Sequence, residues 1–169
     1  MKLVETIKDI ISETVTKEKL SDLIVAATLF GEAGGEGETG MKAVANVIKN
    51  RSISKNQTPK EVVLKPKQFS MWNNLTNKKS QIDYVKSIKE RAKKNPIDKQ
   101  AWDLAKSLVS THINQKGDDI TNGAEYYHTI RILPRWAKDY QYTTTIGKDR
   151  KSTRLNSSHV KRSRMPSSA

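Results

Sequence analysis

Apolar residues recur along most of the chain at spacings of three and four, the signature of amphipathic helices. Leu3, Ile7, Ile10 and Ile11 form one stripe, which predicts a helix over 3–16. Leu20, Leu23, Ile24, Ala27 and Phe30 form a second, entered at Ser21-Asp22 or slightly earlier. Met41, Val44, Ala45 and Ile48 form a third, opened by Thr39 and closing near Asn50-Arg51. Thr58-Pro59-Lys60-Glu61 has the form of a capping box with proline at the first helical position, so a short helix is expected over Pro59–Leu64, ended by Lys65-Pro66. Val85, Ile88 and Ala92 mark a charged helix that stops before Asn95-Pro96. Ala101, Leu104, Ala105 and Leu108 mark another, from about Asp98 to Thr111.

After Gly117-Asp118-Asp119 the period changes. Tyr126-Tyr127-His128 and Tyr140-Gln141-Tyr142-Thr143-Thr144-Thr145-Ile146 are rich in aromatic and β-branched residues, which suits short strands. The expectation is one α+β domain, mainly α-helical, with a short β-hairpin near the C-terminus. No repeat and no internal linker interrupts it.

The last residues change the picture. Asp149 to His159 resembles a translated sequencing-library adapter, and Ser163 to Ala169 resembles the continuation of the same adapter. The segment 149–169 is therefore read as a non-native tail, expected to pack poorly or stay extended, and is set aside from fold reasoning. Of the 31 Lys/Arg and 18 Asp/Glu, six and one fall in that tail, leaving the body at +8. A basic body of this length suits an anionic partner: nucleic acid, membrane or an anionic wall polymer. The basic residues are spread out and no nucleic-acid motif is present. Charge alone does not choose.

Cysteine is absent, which excludes a disulfide framework and thiolate metal sites. His112 and His128 are the only body histidines and do not form a ligand pair, so neither metal nor cofactor is expected. Charges at Glu5, Lys8, Asp9 and Glu13 break up any signal-peptide core, and no apolar run approaches membrane-spanning length. Synthesis in a cytoplasm is expected, with no membrane span.

Candidate chemistry concentrates in Phe30 to Glu38, where three carboxylates sit in a glycine-rich break after an apolar helical run. A glutamate at the end of a core helix is partly buried yet able to reach a ligand, and glycines let that ligand approach the backbone. If the helix runs on, Glu36 lies one turn beyond Glu32 on the same face, at roughly 5–6 Å between Cβ atoms. Two carboxyls that close hold one proton to higher pH, as burial does. A polar turn with solvated charges fits the same residues.

Five separated segments resemble the SleB-type cell wall hydrolases, the spore cortex-lytic family. They are Gly31-Glu32-Ala33-x-Gly35-Glu36; Gly40 to Ile48 with Asn50-Arg51; Gln68-Phe69-Ser70-x-Trp72; Asp119-x-Thr121-x-Gly123-Ala124-x-Tyr126-Tyr127-His128; and Pro134-x-Trp136. Their span, about 23–147, makes 1–148 the expected catalytic domain. The resemblance implies a lysozyme-like fold and cleavage of the peptidoglycan glycan strand, by lytic transglycosylation in the best-understood members. Gly34 stands where that family usually has Arg, and Met71 where it often has Cys. Thr145 to Lys148 looks like the approach to a closing strand, so the domain is expected to be truncated at its C-terminus.

Glycoside cleavage needs a proton on the leaving oxygen and stabilisation of an oxocarbenium-like centre. A transglycosylase uses the sugar's own C6 hydroxyl as nucleophile, so one glutamate serves as acid and then as base. Glu32 is the candidate for that role and Glu36 its helper. Gln68, Phe69, Ser70, Trp72, Asp119, Thr121, Tyr126, Tyr127 and His128 are the candidate substrate contacts. Each has a plainer reading: core aromatics for Phe69 and Trp72, turn caps for Asp119 and Thr121, a buried structural histidine for His128. Strand alternation puts Tyr126 and His128 on one face and Tyr127 on the other, with the first pair expected in the cleft. His112, at a helix end, reads as a surface cation complementing the dipole. A monomer acting on peptidoglycan strands is expected, as a phage endolysin, a virion-associated lysin or a bacterial protein. A muramidase-type hydrolase, a peptidoglycan amidase and a non-catalytic wall-binding module are the alternatives.

Overall fold

The structure is a computed structural model. It describes residues 19–129, 135, 140–146 and 158–163, with only the backbone described for 129, 140–143 and 158–163. The stripe over 3–16 and Pro134-x-Trp136 therefore lie outside the described side chains and elements.

Among the described residues five α-helices carry the body: α1 Leu20–Ala33, α2 Gly37–Lys55, α3 Pro59–Leu64, α4 Lys78–Lys94 and α5 Pro96–Leu108. A 3₁₀ turn, Ser70–Trp72, links α3 to α4, and a π-helical turn, Val109–Ile113, follows α5. Helix α1 packs on each of the other four. Every residue from Ile24 to Phe30 is buried, so this helix is covered all round rather than along one stripe. Leu29, Met41, Ile48, Val63, Phe69 and Ile88 join it in one continuous core. Each such side chain contributes about 1.5–3 kcal/mol by leaving water.

Local chemistry sets the boundaries. Thr58 and Glu61 form the expected capping box, with Glu61 N donating to Thr58 Oγ1 at 3.2 Å and Thr58 N donating to Glu61 Oε2 at 2.7 Å. Asn77 caps α4 and Asn95 caps α5, each through its side-chain oxygen. Asn56 closes α2 in the left-handed region, at φ 50°. Two limits differ from the sequence reading. Helix α2 opens at Gly37 rather than Thr39, because Gly37 at φ 75° turns the chain straight out of the α1 break. The last helix starts at Pro96, which fits the first turn, and loses α geometry after Leu108.

The strands β1 Tyr126–Thr129 and β2 Tyr140–Ile146 are present, but they do not form a hairpin with each other. A third strand, β3 Ser158–Ser163, lies between them and pairs antiparallel with both. The tail, expected to pack poorly or stay extended, is extended over this stretch and its backbone is paired. The reason is that ladder hydrogen bonds come from main-chain groups, so two exposed strand edges accept any extended segment within reach. Ile146 of β2 packs with Ala43, Val47 and Ala124, which seats the sheet on α2.

Between the π turn and β1 the chain has no regular structure, and α2 holds it by polar side chains. Asn46, 1% exposed, donates to Asp118 O at 3.1 Å and accepts from Ile120 N at 3.2 Å. Asn50 donates to Asp119 Oδ2 at 3.1 Å and to Ala124 O at 3.0 Å. The Arg51 Nε donates to Glu125 O. Buried backbone groups that no ladder satisfies thereby find partners. Among the described residues, no helix is long and apolar enough to cross a membrane, and no group of three or more His, Cys, Asp or Glu is placed to hold a metal ion.

Candidate active site

Glu32 occupies the last turn of α1, half-buried, at the point where α1, β1 and the 3₁₀ turn meet. The Tyr127 hydroxyl donates to Glu32 Oε2 at 2.9 Å. Burial pushes the Glu32 carboxyl above its ordinary range, and the Tyr127 hydrogen bond partly offsets that rise by favouring the ionised form. Burial and the adjacent Glu32 together push the Tyr127 hydroxyl well above its own range, so it remains a donor.

Glu36 sits across the break, at the N-cap of α2, with its backbone N donating to Ala33 O at 3.0 Å. Its carboxyl is also raised, by burial first and by the charge of Glu32 second. The coupling foreseen between the two glutamates is present although α1 ends at Ala33, before a continuous helix could carry it. For Glu32 itself burial, one of the two causes expected from the sequence, is the leading one.

The glycines shape this corner by absence of bulk. A Cβ on Gly40 would stand 2.7 Å from Glu36 Cβ and 2.9 Å from its Oε2, so Gly40 makes room for that side chain. A Cβ on Gly34 would meet the Phe30 carbonyl oxygen at 2.4 Å, a backbone atom that cannot swing away. Beside Glu32, the Gly31 position touches Met71 and lies near the Tyr84 hydroxyl, which brings the 3₁₀ turn and α4 against the end of α1. Glu32 is one of the influences that raise the Tyr84 hydroxyl, behind burial and against Arg91.

The remaining candidates divide. Gln68 and Ser70 are exposed on the loop that Met71 brings to Gly31, and Gln68 Oε1 accepts from Arg51 Nη1 at 2.9 Å. Phe69 is 1% exposed, so its ring is spent on the core and not offered to a sugar. Trp72 is buried too, donating from Nε1 to Thr28 Oγ1 at 2.9 Å, with its ring edge-on to Tyr84. Asp119 and Thr121 do not face Glu32 as ligands. Asp119 accepts from Thr121 N at 2.8 Å, from Gly123 N at 2.7 Å and from Asn50, while Thr121 is fully buried beneath it. Although burial raises it, those bonds hold the Asp119 carboxyl below its usual range. Their place is a turn, because a short carboxylate satisfies nearby backbone N–H groups before it can reach outward.

Strand alternation is correct but its assignment to faces is reversed. Tyr127, not the Tyr126/His128 pair, meets Glu32. Tyr126 lies under Arg51, whose guanidinium carbon is 4.6 Å from the ring centroid, and His128 is half-buried further along β1. His112 is half-buried in the π turn, where burial lowers its pKa and its Nδ1 lies 2.9 Å from Thr111 Oγ1. Arg51 was visible only as part of a motif, yet it spans Gln68, Glu125 and Tyr126. A lone arginine near a helix end carries no periodicity signal that would have marked it.

The comparison with known families bears on the same residues. The Cell Wall Hydrolase family matches residues 35–150. The chain belongs to that family. As a cell wall hydrolase it has Glu36, the 3₁₀ turn, Arg51 and β1 inside the matched stretch, and Glu32 three residues ahead of it. No curated protein and no solved structure matches the chain.

Proposed function

We propose that this cell wall hydrolase cleaves the glycan strand of peptidoglycan as a lytic transglycosylase, with Glu32 as the single acid/base and Glu36 as its helper. The observation that carries the reading is the half-buried Glu32 carboxyl, raised by burial and held by a Tyr127 hydroxyl that keeps its proton to donate. A raised carboxyl keeps its proton for the leaving oxygen, and the Tyr127 bond steadies the carboxylate left behind. The same group can then draw the proton from the sugar's C6 hydroxyl as that oxygen closes on the anomeric carbon.

A two-carboxylate hydrolase wants one acid protonated and the other ionised. Here both Glu32 and Glu36 are raised, Glu36 partly by the charge of Glu32, and it is the product chemistry that separates the two schemes. A glutamate ending a core helix beside a small sheet is also the lysozyme-like arrangement. In substrate handling, Gln68 and Ser70 supply exposed hydrogen-bonding groups on the loop that Met71 brings to Gly31.

Glu32→Gln keeps the shape and removes the transferable proton. Turnover on purified peptidoglycan is expected to fall by about 10²–10⁴-fold while wall binding persists. Parent products should end in anhydromuramyl groups. Reducing ends would assign a hydrolase, free amino termini an amidase, and equal turnover by Glu32→Gln would remove Glu32 from the mechanism.

A further inference from the structure

A cavity of about 630 Å³ opens beside the 3₁₀ turn, lined by the α3–α4 connection and the first turn of α4. Neither Glu32 nor Glu36 lines it, so it is separate from the acid/base corner. Its size suits a small ligand. Leu64, Leu75 and Trp72 give it apolar wall, while Asn73 and Gln81 add amide groups. Lys65 and Lys67 line it as well, and no acidic residue does. Neither lysine pairs with a carboxylate among the described residues, where most other charge contacts are lysine–carboxylate pairs along one helix.

Lys67 is held at φ 63°, a left-handed conformation that a long side chain rarely adopts. Its backbone N donates to Asn73 Oδ1 at 3.2 Å, which ties the strained residue to the opposite lining segment. Strain kept at a cationic rim residue is what a binding site retains and a plain connection sheds. The cavity also has a fixed relation to the acid/base. Its Trp72 wall is bonded to Thr28, and Thr28 lies one helical turn before Glu32 on the same face of α1.

We propose that this cavity is a second substrate site, for a short carboxylate-bearing peptide with small apolar side chains: the peptide stem that branches from the glycan strand. The assignment of the peptide rests on the reading of Glu32 as the glycan-cleaving residue. The lysines take the stem's carboxylates, and the Leu64, Leu75 and Trp72 wall takes its methyl groups. A strand whose sugars lie at Glu32 would then be held by its branch as well.

The test is an NMR titration of the full chain with the dipeptide alanyl-glutamate, its diamide, and free alanine. The free-acid dipeptide is expected to shift resonances within 64–81, with the diamide and alanine each about tenfold weaker. Lys67→Asn removes the charge and suits a left-handed backbone, so it should weaken the dipeptide by about tenfold at unchanged Tm. Equal binding of dipeptide and diamide would overturn the proposal, as would shifts centred on Glu32. Alanine binding as well as the dipeptide would reassign the cavity to free small carboxylates. Glycan cleavage is assayed separately: cleavage without dipeptide binding sinks this site alone, and binding without cleavage sinks the glycan reading alone.

Discussion

The α1–α5 region and the segment from Asn114 to Thr129 reach order by different physics. The helical region is held by apolar burial spread over many side chains, so no single polar contact defines it. The later segment has few buried apolar groups and hangs from three polar positions of α2: Asn46, Asn50 and Arg51. The candidate site lies on the seam. Glu32 comes from the first region and Tyr127 from the second, so the carboxyl is tuned only when both are in place.

The contrast can be broken from the helical side first. Leu29 is fully buried in α1, and Leu29→Ala is expected to cost about 3–4 kcal/mol. Denaturant unfolding followed by hydrogen exchange should show both regions losing protection together, because the core is shared. Protection lost from 114–129 alone would mean that the two regions do not depend on one core.

Arg51→Ala should act chiefly on the later segment. It removes donors to Glu125 O and Gln68 Oε1 and the cation over Tyr126, for about 2–3 kcal/mol in all. Exchange should quicken in 114–129 while α1 and α4 keep their protection. Uniform quickening would place Arg51 in the common core instead.

Tyr127→Phe cuts the seam with little loss of volume, at about 1 kcal/mol. Since the Tyr127 bond lowers the Glu32 pKa, its loss should raise that pKa further. An acid works while protonated, so the alkaline limb of the pH–activity profile should move to higher pH. A limb that stays put would separate Tyr127 from the working carboxyl.

The smallest effect is on stability, and its sign is informative. Glu32 has a folded pKa above its unfolded value, so its protonated form favours the fold. That contribution is complete below the unfolded pKa and is lost as pH rises through the folded one. Glu32→Gln should therefore raise Tm at neutral pH, with the gain shrinking as pH falls through the folded pKa and gone below the unfolded one. A lower Tm at neutral pH would mean that the ionised form is well solvated in the fold.

The two regions were not equally legible in the sequence. Periodicity located α1, α2, α4 and α5, and the Thr58–Glu61 box marked α3 to the residue, because burial and capping leave local patterns. Glu32 was found because glycines after an apolar helix are local too. The face that β1 presents was misassigned, since alternation separates Tyr126 from Tyr127 without saying which side meets α1. Asp119 was offered as a ligand because a carboxylate in a loop reads alike whether it caps a turn or awaits a substrate. Arg51 escaped as a site residue because its partners lie 17 and 74 positions away.

Those separations bear on the order of folding. Helices α1, α4 and α5 can form from neighbours in the chain, but Asn46, Asn50 and Arg51 close loops of 69 to 74 positions, and Glu32 with Tyr127 closes 95. Closing a loop of that length costs entropy before any bond is gained, so such contacts consolidate late. The Glu32 carboxyl accordingly spends early folding as an ordinary exposed acid. Its altered proton affinity is then a kinetic marker: a pH-jump refolding experiment should see proton uptake lag behind helix formation.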